Sequence, residues 1–297
     1  MSDQSQKYID IIGPLDDPEK YGLVNEIGSG VSGVVYYAEN LHKKQNEDDF
    51  YAVKIFKQKF PSDFIKESDC LKDIYEICNS VGVICYKDSF VALKNKSVLF
   101  VIVTPYLQNY VTINQFLQKN ILFNSDDLVK IYQQIVDAKN KLTELCLCHS
   151  DLNINNIMVN RKNLDVKLID FGLCLTPEEE IINVSAWKME LQSFAIIRRL
   201  LSENFSKNFT EHEREYVKNY YMDYLDKNFP IENYKKGCVR KKIGNTSKYV
   251  EEEMNKIKAI LNENREEDFE EKKSYIAKKI VAKPKKPQIG KRKLFLK

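Results

Sequence analysis

At 297 residues and 34.8 kDa, with 43% of positions hydrophobic, the chain is long enough for one large domain or two modest ones. Its net charge of +3 hides an asymmetry: from Glu271 onward eleven Lys or Arg face one acidic residue, leaving 35 basic and 42 acidic residues before it. The polar start MSDQSQKYID has no apolar signal core, and nowhere do eighteen apolar residues run together, which speaks against secretion and membrane spanning. Seven scattered cysteines (Cys70, Cys78, Cys85, Cys146, Cys148, Cys174 and Cys238) show no metal-type pair spacing apart from a weak C-x-C at Cys146 and Cys148, and read as reduced thiols of a cytosolic or nuclear protein.

In chain order, LVNEIGSG and SGVVYYAE are β-rich segments split by glycines, and FYAVKIF follows a polar insertion, NLHKKQNEDD. Phe64, Ile65, Leu71, Ile74 and Ile77 then recur at helical spacing between about Ser62 and Asn79. Further strands are expected at VICYKDSFVAL and SVLFVIVTPYL. A second helix, behind a Ser/Asp cap, is expected from Ser125 to Leu145. IMVN and VKLIDFG flank an RKNLD turn as a β-hairpin. Helices are predicted over Trp187–Leu201, Glu211–Asp226 and Tyr249–Asn264, before the basic end KPKKPQIGKRKLFLK, and there are no internal repeats.

The chemistry begins at Gly28-Ser29-Gly30-Val31-Ser32-Gly33-Val34, where a hairpin with little Cβ obstruction can bring backbone N–H groups close to a phosphate. The dinucleotide-fold alternative needs a helix after the third glycine, whereas VVYYAE reads as strand. Next comes Tyr51-Ala52-Val53-Lys54, a strand bearing a cation that could meet phosphates, with Glu67 in the following helix as its expected carboxylate partner and Glu76 as the competitor. Last comes His149-Ser150-Asp151-Leu152-Asn153-Ile154-Asn155-Asn156, with Asp170-Phe171-Gly172 nineteen residues after Asp151.

These four motifs, in this order over about residues 20 to 202, resemble those of the protein-kinase superfamily. The resemblance implies a two-lobed α+β fold: a small antiparallel sheet with one helix, then a mainly helical, abbreviated C-lobe. The expected division is an N-terminal extension (1–20), an N-lobe (21–106), a shortened C-lobe (107–233) and a polar helical extension with a basic tail (234–297). It also implies an ATP-dependent phosphotransferase, in which Asp151 is the catalytic base, Lys54 and Asn156 complete the catalytic set, and Asn156 and Asp170 bind Mg²⁺. His149 is expected to support the core. ATP would lie against Ile27 through Val35 (Ile27, Gly28, Ser29, Gly30, Val31, Ser32, Gly33, Val34 and Val35), Ala52, Lys54 and Glu67. Adenine would sit between Val34 and Ala52 above and Met158 below. Val103 is expected as gatekeeper, with hinge bonds from the Thr104 carbonyl and the Tyr106 N–H, since Pro105 has none.

Three departures bear on function. Ser150 replaces an Arg that in many kinases grips a phosphorylated activation loop, which points to activity without that phosphorylation. Asn153 stands where Ser/Thr protein kinases usually keep a Lys at the γ-phosphate. No APE triplet follows Leu173–Met189, so a conventional peptide groove is in doubt. The expected activity is that of a compact Ser/Thr protein kinase, similar to those of large DNA viruses, acting on a protein in the cytoplasm or nucleus. The alternatives are a pseudokinase scaffold and a small-molecule kinase of the choline or aminoglycoside type. The basic tail reads as solvated chain, or as a contact for nucleic acid or nuclear import.

Overall fold

The computed structural model describes residues 7–42, 50–57, 61–80, 82–118, 124–145, 147–175, 210–212, 215 and 246–261. The chain divides into two compact units, Met1–Glu251 and Glu252–Lys297; apart from the helical residues 252–261, everything that follows concerns the first. No helix among the described residues is long and apolar enough to cross a membrane.

Six strands form one antiparallel sheet: β1 (Asp10–Ile12), β2 (Tyr21–Ser29), β3 (Gly33–Asn40), β4 (Phe50–Phe56), β5 (Asp88–Lys94) and β6 (Ser97–Pro105), in the order β1-β2-β3-β4-β6-β5. Strand β1 lies inside the expected N-terminal extension, pairing Asp10 with Leu23 and Ile12 with Tyr21. At three residues it is too short to show a period of two. Asn95 and Lys96, both at positive φ (49° and 65°), close the two-residue β5–β6 turn in the sense that matches strand twist.

Helix α1 (Pro61–Asp73) opens on a proline, whose missing N–H costs nothing in a first turn, and carries Asp63 near its positive end. It is shorter than the 62–79 helix that periodicity suggests; the chain continues from Ile74 to Ser80 as turns. One face of the sheet is a closed apolar layer of Tyr21, Leu23, Ala38, Tyr51, Val53, Phe90, Val101 and Val103. The other receives α1, where Phe64 meets Phe56 and Phe100 at ring distances of 5.7 and 5.4 Å. Because successive strand residues point to opposite faces, this division decides which side chains can reach the cleft.

Past the sheet come β7 (Tyr110–Thr112), α2 (Ile113–Gln118), α3 (Ser125–Glu144), β8 (Ile157–Asn160) and β9 (Val166–Leu168), the three strands ordered β7-β8-β9. Helix α3 starts on a complete capping box: Asn124 accepts from the Asp127 N–H at 2.8 Å, and the Asp127 carboxylate accepts from the Asn124 N–H at 3.3 Å. Leu128, Ile131, Tyr132, Ile135, Val136 and Leu142 give it a buried stripe. Residues 246–261 are helical. The helix expected over Trp187–Leu201 and the basic tail lie outside the described residues, as does most of Glu211–Asp226.

Four cysteines expected as thiols are joined in pairs, Cys70–Cys174 and Cys78–Cys85, while Cys148 is a free, buried thiol. The first pair is 104 residues apart in sequence and meets only because α1 packs beside the chain after β9. No spacing rule could have exposed it.

Candidate active site

Three elements converge on Lys54. Its Nζ donates to Glu67 Oε2 at 2.6 Å and to Asp170 Oδ1 at 3.0 Å, joining β4, α1 and the turn after β9. Of the two glutamates weighed as partner, Glu67 makes this contact, whereas Glu76 lies exposed in the turns beyond α1. Burial disfavours the Lys54 charge, but the Glu67 and Asp170 carboxylates outweigh it and leave the ammonium pKa above its ordinary value. Glu67 is pushed up to about 7, because burial, with some help from Asp170, exceeds the pull of Lys54. Burial also opposes ionisation of Asp170, yet Lys54 and the Gly172 N–H hold its pKa below the usual carboxylate range.

The loop between α3 and β8 presents Asp151. Asn153 Nδ2 donates to Asp151 Oδ1 at 3.1 Å, and Asn156 Nδ2 donates to Oδ2 at 2.7 Å and to the Asp151 carbonyl at 2.9 Å. Asn153 is itself held by the Asn155 N–H at 2.9 Å, and Asn155 by Asn114 Nδ2 of α2 at 2.9 Å. Asn114 was not among the residues expected at the site, since only the fold brings α2 under this loop. Leu152, Ile154 and Ile157 anchor the loop in the core.

His149, fully buried, presents Nε2 2.9 Å from the Ile169 carbonyl, and its Nδ1 accepts the Asp151 N–H at 3.4 Å. Together these contacts select the neutral Nε2–H tautomer. The Ile169 N–H donates to the Asn156 carbonyl at 2.9 Å, bringing the Asp151 loop and the Asp170 turn side by side. Ser150 and Asp170 hold positive φ, 59° and 62°, a conformation non-glycine residues adopt at some cost and one that clusters at functional sites.

The glycine hairpin covers the other side. A Cβ on Gly28 or Gly30 would meet no protein atom within 4 Å, so packing does not demand these glycines and their absent side chains keep a surface open. Gly33 is different: its Cβ would lie 2.5 Å from the Ile55 carbonyl. Lys57, another residue not expected here, steadies the loop by donating from Nζ to the Gly30 carbonyl at 2.9 Å. Ile27 is partly exposed beside a register shift, Val31 stands at the exposed tip next to the half-buried Ser32, and Ser29 pairs with Val34. Ala52 and Met158 are half-buried, Met158 on β8 opposite Thr112.

Strand register corrects three expectations. Val35, not Val34, lies opposite Lys54, while Val34 lies opposite Ile55 and so shares the closed apolar face. Val103 lies opposite Val53 and is fully buried in that same face, whereas Thr104 lies opposite Ala52 on the cleft side. Finally, the Tyr106 N–H donates to the Phe50 carbonyl at 3.1 Å and is thus turned toward β4, as is the Thr104 carbonyl by the alternation of an antiparallel ladder. Each error is one residue long, which in a strand exchanges the faces.

Among the described residues no cluster of three or more His, Cys, Asp or Glu could hold a metal by itself. What the cleft does offer is two hard oxygens. With Nδ2 committed to Asp151, Asn156 keeps its carbonyl oxygen available, and Asp170 is half exposed beyond its bond to Lys54. That donor chemistry suits a Mg²⁺ whose other ligands are phosphate and water.

The description "Protein kinase domain" matches residues 21–187, more than half of the chain. The chain belongs to the protein kinase family. This kinase is 26% identical over 164 residues to Cyclin-dependent kinase 12 of Caenorhabditis elegans, a match covering 54% of the chain and 22% of that protein. With Cyclin-dependent kinase 12 of Drosophila melanogaster it shares 26% over 161 residues, 52% of the chain and 13% of the relative. With the probable serine/threonine-protein kinase KIN1 homolog of Enterocytozoon bieneusi (strain H348) it shares 29% over 156 residues, 52% and 24%. The kinase therefore spans less than a quarter of the length of each of these relatives.

Proposed function

We propose that this kinase moves the γ-phosphate of Mg-ATP to a Ser or Thr hydroxyl of a protein, with Asp151 as the base that orients and accepts the hydroxyl proton. The observation that carries the reading is the pairing of two assemblies in one cleft: Lys54 bridging Glu67 and Asp170, and Asp151 held at both carboxylate oxygens. Phosphoryl transfer asks for charge neutralisation and alignment, and these groups supply both. Lys54 would meet the phosphates, while Asn156 and Asp170 would hold Mg²⁺, which when bound neutralises charge on the transferring group. The Ser/Thr preference is supported by the names of the relatives.

Register supports Val35 and Ala52 above the adenine, Thr104 as gatekeeper, and the Pro105 carbonyl with the Leu107 N–H as hinge groups. The Val103 carbonyl, two residues before Pro105, already accepts the Lys87 N–H on the side away from β4. Asn153 favours one second reading, a nucleotide-binding scaffold, because it brings an amide rather than a cation to the transferring phosphate.

Full-length protein incubated with Mg²⁺, γ-labelled ATP and casein or histone decides between them. Transfer that disappears in Asp151→Asn and Asp170→Ala supports the kinase reading. Nucleotide binding with neither transfer nor autophosphorylation would leave the scaffold.

A further inference from the structure

Helix α1 is buried on more than the side that meets the sheet. Phe64, Glu67 and Leu71 form the row that meets the sheet and Lys54. Asp69 lies two residues, roughly 200°, around the helix from Glu67, and Lys72 lies one turn beyond Asp69 on that outer side.

There the pair meets Thr246, in the helical stretch 246–261. The Thr246 N–H donates to Asp69 Oδ1 at 3.2 Å, its hydroxyl donates to the same oxygen, and Lys72 Nζ donates to Thr246 Oγ1 at 2.9 Å. Thr246 is 1% exposed. The Asp69 carboxylate thus accepts both the backbone N–H and the hydroxyl of one buried residue. A bond of this charge-assisted kind is among the stronger ones.

Beside Thr246, polar groups also tie α1 to β5 and the residues before it. Ser68 Oγ donates to Ser89 Oγ on β5 at 2.8 Å, Tyr86 shares a hydrogen bond with Ser89 at 3.0 Å, and Lys72 Nζ stands 5.6 Å over the Tyr86 ring. At thirteen residues α1 is short enough to depend on such packing for its stability and position. Its position decides whether Glu67 reaches Lys54.

From this arrangement we infer that Thr246 acts in cis as the activating partner of α1: it clamps the outer side of the helix and holds Glu67 against Lys54. The part of this inference that concerns turnover rests on the kinase reading above; the part that concerns α1 does not.

Full-length Thr246→Val and Asp69→Asn test it against Thr246→Ser, which keeps every donor and acceptor. Hydrogen exchange of the peptide over residues 61–73 is expected to quicken about tenfold in the first two variants, with kcat/KM for Mg-ATP falling about tenfold, the scale of one lost buried bond. Exchange over α3 stays unchanged, and Thr246→Ser matches the parent in both readouts. Unchanged α1 exchange in both disruptive variants overturns the clamp, and faster exchange with undiminished turnover overturns its activating role. A parent protein that transfers no phosphate defeats the functional reading alone, since α1 exchange and the affinity for a non-hydrolysable ATP analogue still decide whether the clamp holds the site.

Discussion

Asn156 grips Asp151 twice, with its Nδ2 2.9 Å from the carbonyl and 2.7 Å from carboxylate Oδ2. One amide thereby points the proposed base with its nitrogen and keeps its oxygen for the proposed metal. Asn153 completes the grip by donating to Oδ1.

Asn153→Ala removes the donor to Oδ1 and the acceptor for the Asn155 N–H while leaving Lys54, Asp170 and the glycine hairpin untouched. The expected outcome is a kcat lower by roughly tenfold with KM for ATP nearly constant, because an alignment matters most in the transition state. Steady-state kinetics on one protein substrate read this directly. A rise in KM at constant kcat would instead mean that Asn153 works in nucleotide binding.

Glu67→Gln keeps the shape of the Lys54 contact and deletes its charge. Lys54 then retains only Asp170 as a carboxylate partner at 3.0 Å, and the expected loss in kcat/KM is on the order of 100-fold with thermal stability retained. Glu76→Gln, on an exposed turn, serves as the control and is expected to behave as the parent.

Much of this site could be read from residue types. Lys54, Asp151 and Asp170 stand in recognisable strings, and the capped, periodic α3 declares itself. What could not be read follows from geometry. Both Val34 and Val35, and both Val103 and Thr104, are expected at the nucleotide, since both residues of each pair are β-compatible; only the ladder shows that Val35 and Thr104 share the face of Lys54. Strand β1 and helix α2 are too short to impose a period, and Asn114 reaches the Asp151 loop only through α2. Thr246 meets α1 across 177 residues of chain, a distance no local pattern bridges.

The buried His149 imposes a pH dependence on the apo protein. Burial holds its pKa below the ordinary 6.5, although Asp151, Asp170 and the Ile169 carbonyl pull the other way. The folded state therefore keeps the ring neutral while the unfolded chain takes up a proton below about pH 6.5, so stability from this group is intact above that pH and is lost as the pH falls further. Protonation of Nδ1 would also break its bond from the Asp151 N–H. Melting temperatures of the parent are expected to drop more steeply between about pH 7 and pH 5 than those of His149→Gln. Parallel slopes for the two proteins would place the acid sensitivity elsewhere.

The two disulfides should differ in what they contribute. Cys70–Cys174 closes a sequence separation of 104 residues and Cys78–Cys85 one of 7. In the chain-entropy account the longer loop removes more freedom from the unfolded state, by about 2 kcal/mol. Cys70→Ser is therefore expected to lower the melting temperature further than Cys78→Ser. It also unties α1 from the segment after Asp170, so it alone should slow phosphate transfer. Peptide mapping without reductant identifies the pairs, and adding dithiothreitol to the parent, which opens both, should reproduce the behaviour of the Cys70→Ser/Cys78→Ser double variant. Equal effects of the two substitutions on stability and turnover would show that the link between α1 and the Asp170 turn does not support the site.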